Sequence, residues 1–237
     1  MSAPSTTDEP TAPPRTKTPG WPEILTGSAA FLLAFAAIAL TLPLIDDPAT
    51  QGIAGLFASG ALGLVAFGAA VLLRIRSIDA FGFRRTTPAR ILVGAGLGIA
   101  TYLLGVLVAI AYITVTGDAE NVQAGYQAAA AGGWLSLAVT LIAGAVITPL
   151  GEEAFFRGVL ANALIARHGA WVGVLVSAAV FAVAHGINPV LPIAFVVGVS
   201  TALLYRWSGS VWPGVALHAT NNATAFLVPL AINLGLA

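Results

Sequence analysis

Residues 91–116 read ILVGAGLGIATYLLGVLVAIAYITVT, 26 residues without a charged side chain. At about 1.5 Å of rise per residue a helix of that length is about 39 Å long, enough to cross roughly 30 Å of hydrocarbon. Similar runs occupy about Ile24 to Ile45 and Gly52 to Leu73. The chain as a whole is 58% hydrophobic and 8% charged over 237 residues, where a soluble domain carries about 25% charged residues. Ten-residue alternating strands, the mark of an outer-membrane barrel, are absent from the pattern. The sequence therefore predicts an all-α fold, a polytopic transmembrane bundle of seven or eight helices.

The runs divide the chain. Residues 1–22 are rich in Pro, Thr and Ser and are expected to form a disordered tail, without the basic start and apolar core of a secretory signal. Residues 23–133 hold the first three spans. Residues 134–237 hold the rest: a segment from about Trp134 through Pro149 to Arg167, a helix from Trp171 to His185, another from Leu191 to Tyr205, and a last stretch from Val211. That last stretch reads either as one long helix or as two short ones divided near Asn221. No internal repeat suggests a transporter built from two halves.

Charge orients the bundle. The loop after the second run carries Arg74, Arg76, Arg84, Arg85 and Arg90 against Asp79, whereas the neighbouring loops carry Asp46, Asp47, Asp118 and Glu120. Basic loops stay in the cytoplasm, so this loop and the N-terminal tail are expected inside and the acidic loops outside. Lys17 is the single lysine and Ala and Gly abound, a bias that fits a GC-rich bacterial genome and hence a bacterial plasma membrane. No basic block suits nucleic acid. With no cysteine, disulfides and thiolate metal sites are excluded.

An ionisable residue inside an apolar run is costly, and is by default a candidate for function. Beyond Gly133, Arg167, His168 and Arg206 fall at helix ends or turns, where anchoring at the interface accounts for them. Glu152, Glu153, Arg157, His185 and His218 do not. Glu153 and Arg157 are four apart in the favourable order and read as a mainly structural ion pair. Glu152 points about 100° away around the same helix and has no local counter-ion, a setting that suits a general base. Glu152 and His185 lie at similar separations from the turn at His168–Gly169, so in an antiparallel hairpin they meet at one depth, about 25 Å from that turn. Phe181, one turn before His185, can wall the same face. His218 and Asn222 share a face of the last helix, but counted from the turn at Arg206–Ser210 they lie only about 13 Å deep. A structural role as interhelical hydrogen bonds explains any one of these groups more readily than it explains all of them together.

Glu152-Glu153-Ala-Phe-Phe-Arg157 reads EExxxR, Phe181-Ala-Val-Ala-His185 reads FxxxH and His218-Ala-Thr-Asn-Asn222 reads HxxxN. In this order, on successive apolar elements over about residues 134–225, the set resembles the CAAX protease and bacteriocin-processing family of intramembrane endopeptidases, also called the Abi family. Gly158 and the stretch Gly209-Ser-Val-Trp-Pro213 resemble it too. The resemblance implies that Glu152 and His185 activate a water against a peptide carbonyl, that His218 and Asn222 hold the oxyanion, and that Glu153 and Arg157 brace the helix. It implies a membrane-associated protein or peptide as substrate, possibly lipidated, cut near its C-terminus. Such proteins are often called metalloproteases. Zinc would take Glu152, His185 and His218, yet no HExxH helix is present, and an asparagine aimed at the site favours a metal-free mechanism. The competing expectation is a non-enzymatic membrane protein, either a transporter or proton relay or an immunity scaffold, using the same polar cluster.

Overall fold

The computed structural model describes residues 18–236. Among these residues eight helices follow one another: α1 Trp21–Thr41, α2 Pro48–Leu73, α3 Pro88–Thr116, α4 Ala124–Ala131, α5 Trp134–His168, α6 Ala170–Val183, α7 Val190–Ser208 and α8 Trp212–Asn233. Six of them are long and apolar enough to cross a bilayer; α4 and α6 are shorter. The protein is a multi-pass membrane protein with an all-helical bundle. Residues 1–17 of the expected tail lie outside the described residues, and α1 already begins at Trp21. The last stretch is a single helix, not two, and it continues through Pro229. The short helix α4 was not anticipated; it lies in the Ala-rich sequence before Trp134.

Lipid tails are as apolar as leucine, so burying apolar area does little to drive helices together in a membrane, and close packing of small residues takes over. Gly60 on α2 and Gly151 on α5 show this directly. A Cβ on Gly151 would collide with the Gly60 carbonyl, and one on Gly63 with the Gly151 carbonyl. Gly94 and Gly98 let α3 approach Pro213 and Leu217 of α8 in the same way. These crossings hold α2 and α3 against the helices that carry Glu152 and His218.

One end of the bundle is stitched shut. Glu23, fully buried, caps α1 by accepting the Gly20 N–H at 2.8 Å and receives Arg74 of α2 through two hydrogen bonds of 2.8 Å. The basic loop folds inward there. Its short helical turn Ile78–Phe81 buries Phe81 against Phe67, and the Gly158 backbone lies against the Phe81 carbonyl. The Gly82 carbonyl accepts the Val211 N–H at 3.0 Å, Ser210 Oγ donates to the Arg84 carbonyl at 2.9 Å, and Asn162 Nδ2 donates to the Ala80 carbonyl at 2.9 Å. A stretch that sequence marks only as a basic loop is thus a plug that ties α5 to the start of α8.

Candidate active site

Pro149 shapes the site before any charge does. It sits inside α5 and has no N–H to give. Just before it the helix widens into a π turn over Ala143–Ile147, in which the Thr148 N–H reaches the Ala143 carbonyl five residues back. The next bond of that register would run from residue 149 to Gly144, and proline cannot make it. The Gly144 carbonyl instead accepts Asn222 Nδ2 of α8 at 2.9 Å. A helix carbonyl without its partner must be satisfied from elsewhere in hydrocarbon, and Asn222 does so, fixing α8 to α5 beside the acidic pair. A second π turn, Ala154–Ala161, follows the acidic pair; such turns favour functional positions.

Glu153 and Arg157 form the expected pair, at 3.1 Å and almost fully buried. Arg157 also donates from Nε to Thr201 Oγ1 at 2.6 Å, and its guanidinium lies 4.4 Å from the centre of the Phe181 ring. The pair has a third member that sequence did not assign to it, because Glu153 Oε1 lies 3.2 Å from His218 Nδ1. A carboxylate paired with arginine is ionised and only accepts. His218 Nδ1 therefore carries the hydrogen, and its ring is held from behind.

Glu152 faces the other way. Ser59 Oγ of α2 donates to its Oε1 at 2.6 Å. Its Oε2 is buried with no hydrogen-bond partner, and stands 3.7 Å from His218 Nε2 and 4.0 Å from His185 Nε2. His185 Nδ1 lies 2.8 Å from the Phe181 carbonyl. Since a carbonyl only accepts, that nitrogen carries its hydrogen, and the lone pair of a neutral ring faces Glu152. Phe181 packs edge-on against both imidazoles, with ring centres 4.6 Å and 5.8 Å away.

The structure thus brings together all seven residues singled out in the sequence, and corrects one distance argument. His218 is level with the acidic pair because α8 starts deep. Gly158, ten residues before the end of α5, is level with Phe81 and hence with Val211. Helix α5 runs on past that level to His168, so the two turns are not at one depth. Sequence reasoning missed Ser59, Thr201 and the buried Asn221, which donates to Asn222 Oδ1 at 3.2 Å. Small hydroxyls in apolar runs give no distinguishing signal. Two cavities of about 310 Å³ and 350 Å³ meet at Glu152 and His185, with Tyr126 and Gln123 of the α4 region bordering both.

The donor chemistry of Glu152, His185 and His218 is that of a zinc site, down to the acceptors that hold each Nδ1–H. The spacing is not: carboxylate-to-imidazole separations of 3.7 Å and 4.0 Å exceed the edge of roughly 3.3 Å expected for tetrahedral ligands at about 2.0–2.1 Å from zinc. Among the described residues no group of three His, Asp or Glu side chains is arranged to hold a metal ion.

Residues 134–224, from Trp134 to Thr224, match a family model described as Rce1-like, type II CAAX prenyl endopeptidase Rce1-like. The match covers the segment whose three motifs resemble the CAAX protease family, and that segment holds every member of the cluster except Ser59. No curated protein and no solved structure matches the chain.

Proposed function

We propose that the protein is an intramembrane endopeptidase of the bacterial plasma membrane that hydrolyses a peptide bond near the C-terminus of a membrane-associated protein or peptide. The observation that carries the reading is Glu152 Oε2, a buried carboxylate oxygen without a partner, faced by two imidazoles at the junction of two cavities. A water between Glu152 Oε2 and His185 Nε2 donates one hydrogen to each. As its oxygen bonds to the carbonyl carbon, its proton passes to Glu152. The oxyanion takes hydrogen bonds from His218, doubly protonated and backed by Glu153, and from the N–H of Asn222 that Gly144 leaves free. The C–N bond then breaks, and Glu152 returns the proton to the leaving amine. Arg157 and Thr201 hold Glu153 in place and touch no substrate.

This reading uses no metal ion; the alternative is a zinc held by Glu152, His185 and His218. The test is cleavage of quenched fluorescent peptides, with plain and prenylated C-termini, by detergent-purified protein. Wild type should cut with or without a chelator, and Glu152→Ala should not. Loss on chelation with recovery on zinc would overturn the metal-free mechanism, and undiminished cleavage by Glu152→Ala would overturn the role of Glu152. A wild type that cuts nothing would favour a scaffold.

A further inference from the structure

The two ends of the bundle differ in charge and in closure. Among the described residues every arginine except Arg157 lies at or within one helical turn of the end formed by loop 74–87, and the opposite end carries Asp46, Asp47, Asp118 and Glu120 with no Arg or Lys at all. The positive-inside rule puts the arginine-rich end in the cytoplasm.

From the site the cavities reach one helical turn toward the arginine-rich end, to Leu62 and Phe156, and much further the other way. On α3 the level of the site is marked by Gly98, which packs on Leu217, and the lining residues begin at Tyr102 and continue to Ile113, away from the arginine-rich end. On α8 they run from His218 to Pro229, and on α1 from Phe31 to Ile38 and on to Leu42 just past its end, again toward the acidic end. The rim includes Val122 and Asn188 from the loops there. His185 is 28% exposed, against 6% for Glu152 and 5% for His218, so it is the most open member of the cluster. Neither Phe81 nor Arg157 borders the cavity.

We infer that the substrate is presented from the non-cytoplasmic face. The site then serves polypeptides already exported across the membrane, or the outer flanks of membrane proteins, with basic residues beside the cleavage point that the acidic rim attracts. The word substrate rests on the proteolytic reading above; the direction of access does not.

The chain has no cysteine, so single cysteines can be read cleanly. Ile78→Cys marks the arginine-rich loop, Val122→Cys the rim and Val190→Cys the cavity wall. With a membrane-impermeant maleimide, the cysteines at 122 and 190 should react in right-side-out vesicles, and the one at 78 only in inverted vesicles. Reaction at 190 only in inverted vesicles, or at 78 only in right-side-out ones, overturns the inference. Labelling reads no hydrolysis, so a protein that cleaves nothing sinks the proteolytic reading and leaves this result standing. Where cleavage is measured, an impermeant peptide with flanking arginines should be cut by right-side-out vesicles alone, and cutting by inverted vesicles alone overturns the inference.

Discussion

Glu152 and Glu153 are neighbours in the chain and belong to two different regions of the bundle. Glu153 points into the closed half, where Arg157, His218 and the packing of Phe181 hold it. Glu152 points into the open half, where one serine holds one oxygen and the other faces two imidazoles at 3.7 Å and 4.0 Å, without the arginine that stands 3.1 Å from Glu153. The same chemical group is thus placed once for strength and once for reactivity. What separates the two uses is the arginine at Glu153 and the cavity at Glu152, since both carboxyls are buried.

The hardest way to break the comparison is at Glu153. Glu153→Ala leaves Arg157 buried without its partner, and should cost about 3–5 kcal/mol of stability, read as a large fall in the melting temperature of the purified protein. A Glu153→Leu/Arg157→Met double variant should melt closer to wild type than either single change, because it removes both charges at once. Glu152→Gln should do the reverse. Cleavage should fall by about 10²–10⁴-fold while the melting temperature stays near that of wild type. Equal losses of stability in the two variants would erase the distinction.

Asn222 tests the border between the halves. Asn222→Ala orphans the Gly144 carbonyl and should cost about 1–3 kcal/mol. Pro149→Ala returns a backbone N–H beneath that carbonyl, so the same asparagine substitution should cost less in its background. An unchanged cost would show that Asn222 does not serve the carbonyl.

The smallest effect lies at the open end, where the Asp47 carboxylate accepts the Thr50 N–H at 2.7 Å and caps α2. Hydrogen bonding from Thr50 holds its pKa below the ordinary carboxylate range. Its folded-state pKa is depressed, so the cap stabilises above the unfolded value, near pH 3.9, and is lost as pH falls through the folded one. Asp47→Ala should lower the melting temperature slightly at neutral pH, with the difference from wild type vanishing in strong acid.

The fold was legible because charge-free runs of membrane length have few alternatives. Much of the candidate site was legible too, because Glu152, Glu153, Arg157, His185 and His218 are conspicuous in such runs. The partners were harder. Glu153 was read as half of a pair, and its third contact, His218, is 65 positions away with no pattern linking them. Ser59 is one small hydroxyl in an apolar helix. Asn222 stood out, but for a different job: its bond to Gly144 follows from Pro149 only once the helix is known to widen there. The inward fold of the basic loop was hidden because its arginines describe a surface, while Phe81 and the backbone of Ala80 and Gly82 do the packing.

That inward fold has a consequence for the cell's energy supply. Hydrolysis inside a bilayer requires water, and water that reached from one face to the other would carry protons down their gradient. Here the cavity reaches Phe156, and Phe81 and the paired Arg157 guanidinium are buried outside its lining. If the site cuts peptides as proposed, water entering the cavity meets this packed layer before the far face, and the membrane would keep its electrical resistance during cleavage.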